Sequence, residues 1–209
     1  STGYRGTGWN AGTCCVGENI DDLGFIMTIV DLVMQSIPIR NESVHSLGFS
    51  NGSFMTESLG CHYSETFRSI GSVSGNTILQ WGAQQALAAC DAVFKQPTSI
   101  LHVHGTSDFI VPFQGDMLLG WGDIPSDMKA WANRNLCGSQ QPIQTLNVST
   151  FTNQLWQNCG PNGDIDVELV INADGGHEWP MEKGVFQVSN YILNFWNRVT
   201  PNGMAPIPI

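Results

Sequence analysis

Gly48-Phe49-Ser50-Asn51-Gly52 decides how this chain is read. Its pattern is G-x-S-x-G. Ser43-Val44-His45-Ser46-Leu47, just before it, is short and suited to a strand, and Ser53 to His62, just after it, reads as a helix. A strand that enters a helix through so tight a turn needs small residues on either side of the turning serine. The reward is a hydroxyl lifted above the sheet edge, with the amide of Asn51 left to donate at the helix start. In a chain of 23 glycines the pattern alone is weak, and what surrounds it must carry the reading.

Working outward, strands alternate with helices. Upstream, Asp21 and Asp22 open an apolar series at helical spacing (Phe25, Ile26, Ile29, Val30, Leu32, Val33) that Pro38 ends. Two acids at a helix start cap it and suit its dipole. Downstream, residues 67–73 and 99–105 read as buried strands, 83–94 as a short helix, and 126–136 as a helix capped by Ser126. Residues 145–151 alternate weakly, and Leu155-Trp156 suggests a second short strand. Residues 166–171 form another strand, and 185–199 a helix with Ile192, Leu193, Phe195 and Trp196 on its apolar side. This alternation predicts one α/β domain over 1–200, a mostly parallel sheet covered on both faces, and a loose tail over 201–209. No internal repeat is visible.

Composition narrows the function classes. Charged residues make 12% of 209, and 8 Lys+Arg stand against 18 Asp+Glu, a formal charge of −10. That balance excludes nucleic acid as an expected partner, since a basic face supplies most of that affinity. No apolar run reaches spanning length, so no membrane segment is expected. Six cysteines in so lysine-poor a chain point to an oxidising compartment, and the polar start at Ser1 reads as though an upstream segment had been removed. No Cys/His spacing suggests a metal, and no cofactor is expected. Of three sequons, Asn41 and Asn147 are candidate glycosylation sites; the one at Asn51 lies inside the turn and is discounted.

Three polar residues fall at the carboxyl ends of three predicted strands: Ser50, Asp108 and His177. In open α/β sheets that edge is where ligands bind. An imidazole activates a serine hydroxyl, and a carboxylate fixes the ring's tautomer, so these types in this order form a candidate catalytic triad. His45, His62, His102 and His104 are rival bases; the last two sit on a buried strand and read as structural.

With these segments in hand, the chain resembles the secreted esterase family that groups polyhydroxybutyrate depolymerase-like proteins with feruloyl and acetylxylan esterases. The likeness rests on Gly8-Trp9-Asn10-Ala11-Gly12-Thr13-Cys14-Cys15, Asp21-Asp22-Leu23-Gly24-Phe25-Ile26, the Ser50 turn, Leu101-His102-Val103-His104-Gly105-Thr106-Ser107-Asp108 and Gly175-Gly176-His177-Glu178-Trp179-Pro180. It implies an α/β-hydrolase fold, with Ser50 as nucleophile, Asp108 as acid and His177 as base. The implied substrates are feruloyl or acetyl esters of polysaccharide, or a polyester. Trp179, beside His177, is the best substrate-binding candidate among the tryptophans.

The sequence departs from the family at two points. Ser53 stands where the family usually has glycine, and nothing ahead of Gly8 resembles the family's first strands or their His-Gly loop. The expectation is therefore a sheet lacking its N-terminal strands, completed by a companion N-terminal peptide or by further sequence of the same protein. A non-catalytic extracellular structural or binding protein on the same fold is the alternative. Cys61 pairs best with Cys90 and Cys137 with Cys159, leaving Cys14 and Cys15 to bridge each other or to reach the missing segment.

Overall fold

The computed structural model describes residues 8–15, 20–138 and 141–201; most of the tail expected to be loose lies outside these. A six-stranded sheet runs through them. Its strands are β1 (His45–Phe49), β2 (Ser69–Val73), β3 (Ser99–Gly105), β4 (Asn147–Val148), β5 (Phe151–Cys159) and β6 (Ile165–Asn172), in the spatial order β1-β2-β3-β6-β5-β4. β1, β2, β3 and β6 are parallel, with Gly48 opposite Ser72, Ser72 opposite His102 and His102 opposite Leu169. β5 and β4 then add antiparallel strands at one edge.

The helices are α1 (Asp22–Ser36), α2 (Asn51–His62), α3 (Ala83–Val93), α4 (Ile124–Arg134) and α5 (Val188–Val199). They cover both sheet faces. On one side Phe54, Leu59, Met128 and Trp131 from α2 and α4 pack on Ile70, Ile100, Val167 and Leu169. On the other, Val188, Ile192 and Phe195 of α5 pack on Val73, Leu101, Val103 and Val170. Adjacent residues of one strand thus serve different cores, because side chains alternate across a sheet. Arg198 anchors α5 to β6 through Asp166 at 2.8 Å and the fully buried Glu168 at 2.6 Å. Among the described residues no helix is long and apolar enough to cross a membrane.

Several local readings need correction. The weak alternation over 145–151 holds the two-residue β4, and the strand suggested at Leu155-Trp156 is the nine-residue β5, whose run of Thr152, Asn153 and Gln154 hid its length. Asn153 is buried there because its side chain accepts from the backbone of Thr145 and Leu146 and donates to Glu168. Asp123, not Ser126, caps α4, accepting from the Ser126 amide at 2.8 Å. A small hairpin, β7 (Met181–Glu182) with β8 (Phe186–Gln187), precedes α5, which begins three residues later than its pattern suggested. Helix α1 buries none of its residues: Leu23, Ile26, Met27 and Val30 lean on the core, while Phe25, Ile29, Leu32 and Val33 are exposed.

The cysteines pair as Cys14–Cys15, Cys61–Cys90 and Cys137–Cys159, leaving no free thiol. The adjacent pair therefore does not reach toward another segment. Asn147 is exposed on edge strand β4, and the side chain of Asn41 lies outside the described residues.

Candidate active site

Ser50 lies between β1 and α2 with φ 55° and ψ −120°, a sparsely populated conformation for a residue with a side chain. The surroundings hold it there. Its amide donates to the Val73 carbonyl at 2.9 Å, and its carbonyl accepts from Ser53 and Phe54 at 2.8 and 3.1 Å. Gly48 is obligatory: a Cβ there would stand 1.8 Å from the Gly52 carbonyl oxygen. Gly52 is not, since a Cβ at that position meets nothing within 4 Å. The turn needs only its first glycine for space. Ser53, where the resemblance leads one to expect glycine, is buried and bonds Ser72 through their hydroxyls.

His177 arrives on the loop after β6 and Asp108 on the loop after β3. The Ser107 amide donates to the Gly175 carbonyl at 2.9 Å and the Asp174 amide to the Thr106 hydroxyl at 2.9 Å, which stitches the two loops together. Ser50, His177 and Asp108 then stand in line. The Ser50 hydroxyl lies 2.8 Å from His177 Nε2, and His177 Nδ1 lies 2.8 Å from Asp108 Oδ2. Asp108 Oδ1 accepts from the amides of Ile110 and Val111, both at 2.9 Å. Burial alone would push the Asp108 carboxyl up, but the bonds from His104, the Val111 amide and His177 outweigh it and hold the group at about 2. Asp108 is thus a carboxylate at neutral pH.

Asn51 is the first residue of α2, so its N–H has no acceptor within the helix. It stands at the end of the helix that favours negative charge. Its side chain is engaged elsewhere, accepting from the Trp9 amide at 2.6 Å and donating to the Trp9 carbonyl at 3.0 Å. Sequence reading missed this tie. The same segment is fastened further along, where Ser58 donates to the Ala11 carbonyl and the Thr13 amide to that of Ile78. Trp179 is half-buried: its ring meets Phe49 edge-on at 6.4 Å and its indole N–H donates to Ser189 at 3.1 Å. Phe49, half-exposed and 5.1 Å from the His177 ring, is a second aromatic at the site that the sequence did not flag. Trp131 and Trp156 belong to the core.

The rival histidines are held elsewhere. His45 stacks on Trp196 and bonds Ser69, and burial pushes its imidazole down to about 4. His62 contacts the Ser58 carbonyl one turn back on α2. His102 and His104 are fully buried behind Asp108.

Two further acids are buried in the same region, Glu57 on α2 and Asp127 on α4. Asp127 Oδ2 accepts from the Thr77 amide at 3.1 Å. Burial above all pushes Asp127 up to about 7. An unfolded aspartate titrates near ~3.9. Between those values the folded state binds more protons, so stability falls as pH rises through the window, and the loss is complete above it. Asp127→Asn keeps an acceptor for Thr77 and cannot ionise. Its expected stability advantage over the wild type is near zero at roughly pH 4 and grows to on the order of 3 kcal/mol above pH 7. Urea melts at several pH values check this, and a gap independent of pH contradicts it.

Comparison with known proteins agrees with this architecture. Residues 22–119 match the family described as phospholipase/carboxylesterase. A probable feruloyl esterase C from Aspergillus niger is 31% identical over 171 residues, covering 82% of this chain and 54% of that protein. The feruloyl esterase C of Emericella nidulans is 30% identical over 112 residues, 54% of this chain and 37% of its own. The chain therefore spans about half the length, or less, of these curated relatives. Among solved structures, an acetyl xylan esterase from Aspergillus awamori superposes with a TM-score of 0.63 at 14% identity, over 84% of this chain and 66% of that one. Arabidopsis thaliana SOBER1 does so with a TM-score of 0.52 at 17% identity, over 90% and 70%. At such identities the superpositions speak to fold alone. With its parallel strands, its serine turn and these likenesses, the chain has the α/β-hydrolase fold.

Proposed function

We propose that the chain is a serine carboxylic-ester hydrolase working through an acyl-enzyme. The observation that carries this reading is the unbroken line from the Ser50 hydroxyl through His177 to Asp108, with 2.8 Å at each contact. Ser50 Oγ attacks the ester carbonyl carbon while its proton passes to His177 Nε2. Asp108 keeps the proton on Nδ1 beforehand and stabilises the imidazolium afterwards. The Asn51 amide donates to the oxyanion. His177 then returns the proton to the leaving alcohol, and water activated by the same ring releases the acid.

Feruloyl or acetyl esters of polysaccharide are the favoured substrates, supported by the named activity of the relatives; a polyester is the next class. Phe49 and Trp179 supply aromatic surface beside His177 for the acyl group or the sugar. Three disulfides favour an extracellular setting, with Asn147 exposed for a glycan. The exposed apolar face of α1 and the edge position of β1 support a companion N-terminal segment completing the sheet.

A fluorophosphonate probe tests the proposal. The expected result is one covalent adduct, mapped to Ser50 and blocked by prior incubation with an ester substrate such as methyl ferulate. A folded protein that gives no adduct and hydrolyses neither methyl ferulate nor p-nitrophenyl acetate overturns it.

A further inference from the structure

Glu57, His102 and His104 have no part in the chemistry just described, yet all three are fully buried and in contact with one another. His102 and His104 are two apart on β3 and so share a sheet face, their ring planes within 2° of each other. The direction of their hydrogen bonds follows from one end. The Val111 carbonyl, 2.8 Å from His104 Nε2, can only accept, so that nitrogen carries a proton. A neutral His104 then presents a bare Nδ1, which accepts from His102 Nε2–H at 3.0 Å. A neutral His102 is left with a bare Nδ1, 3.1 Å from Glu57 Oε1. Two acceptors do not bond. The contact closes only if Glu57 is a carboxylic acid that donates to His102.

The other contacts of Glu57 are compatible with that state, the neighbouring Asp127 carboxyl included, since burial favours the protonated form of that acid too. The Glu57 oxygens accept from the hydroxyls of Ser72 at 2.6 Å and Thr77 at 2.7 Å. The competing arrangement moves a proton through His102 onto His104 and leaves Glu57 ionised. It separates charge inside a core that water does not reach, where unpaired charges are costly. Burial acts the same way on each group, pushing Glu57 up, His102 down to about 4 and His104 down. The polar and titratable groups facing the chain are Ser72 from β2, Thr77 from the loop after it, Asp127 and more distantly Arg134 from α4, and Asp108. From β6 come Leu169 and Ile171, which are apolar.

At its far end the chain meets the site. His104 Nε2–H has a second, longer acceptor in Asp108 Oδ2 at 3.4 Å, the same oxygen that His177 uses. We propose that neutral Glu57 feeds a one-way hydrogen-bonded chain, Glu57 to His102 to His104 to Asp108, whose members are positioning residues that fix the Asp108 carboxylate and moderate its hold on His177. The last step rests on the hydrolase reading; the tautomers do not.

Two measurements test this. In nitrogen-15 imidazole spectra of the intact protein at neutral pH, His102 and His104 are expected as neutral rings protonated at Nε2. An imidazolium, or a ring protonated at Nδ1 alone, at either position overturns the chain. For the last step, His104→Phe removes the donor to Asp108, so the carboxylate binds the imidazolium of His177 more tightly. The acid limb of the kcat/KM profile for p-nitrophenyl acetate then moves up by about half a pH unit or more, and His104→Gln, which retains an N–H donor, moves it back. An acid limb unmoved in the Phe variant overturns the positioning role. Should that variant fail to fold, Glu57→Gln decides: its amide donates as the acid does, and both imidazole patterns persist, whereas a change to Nδ1–H at His102 overturns the assignment. A protein with no ester turnover and no fluorophosphonate adduct would remove the hydrolase reading, and the spectra alone would then decide the chain.

Discussion

Asp108→Asn lowers kcat for ester hydrolysis by about 10⁴-fold while leaving the fold intact. The reason lies in how the carboxylate is held. One oxygen, Oδ1, accepts from two backbone amides, those of Ile110 and Val111. The carbonyl oxygen of an asparagine must take that place, because its NH₂ cannot accept. The NH₂ then faces His177 Nδ1, where Oδ2 accepted at 2.8 Å, and also the His104 N–H at 3.4 Å. His177 can meet a donor only with a bare Nδ1, so its proton moves to Nε2 and points at Ser50. In that tautomer the ring cannot take the serine proton. Steady-state turnover and the rate of fluorophosphonate labelling should fall together, with the thermal midpoint changing little. Activity within tenfold of the wild type would contradict this account of the site.

The second large effect concerns the turn itself. Gly48→Ala places a Cβ 1.8 Å from the Gly52 carbonyl oxygen and 2.6 Å from the Ser53 amide nitrogen. Both are backbone atoms at the start of a helix packed in the core, so neither can swing aside. Overpacking against side chains costs about 1–3 kcal/mol, and a clash with fixed backbone belongs at or above the top of that range. The expected result is a loss of at least about 3 kcal/mol in stability, with Ser50 displaced and labelling abolished. Gly52→Ala is the matched control. Its Cβ enters open space, and alanine in a helix is favoured over glycine by about 0.5–1 kcal/mol. Urea unfolding of the two variants should move in opposite directions. Equal midpoints would mean that the turn relaxes in a way these contacts do not anticipate.

How much of this was legible beforehand depends on the range of each interaction. The strand before Ser50, the strand over 99–105 and the helices carry local periodicity, and the sequence shows them within a few residues. Two features were harder. β5 pairs antiparallel with β6, and its polar residues are satisfied by partners such as Glu168, 15 positions away from Asn153. No local pattern encodes that. Likewise the tie between Trp9 and Asn51 spans 42 positions, and neither residue type announces it.

Residue types and their order at strand ends were enough to nominate Ser50, Asp108 and His177, because a parallel sheet turns every strand's carboxyl end to one rim. The bonds through which these three meet, 127 and 69 positions apart in sequence, belong to the folded chain alone. So does the state of Glu57, which in sequence is one acid on the helix after Ser50. Only packing brings His102 against it, and only the Val111 carbonyl at the end of the row dictates which way the protons point. Proton direction in a buried array is set by its terminal acceptor, and that acceptor is chosen by tertiary contact.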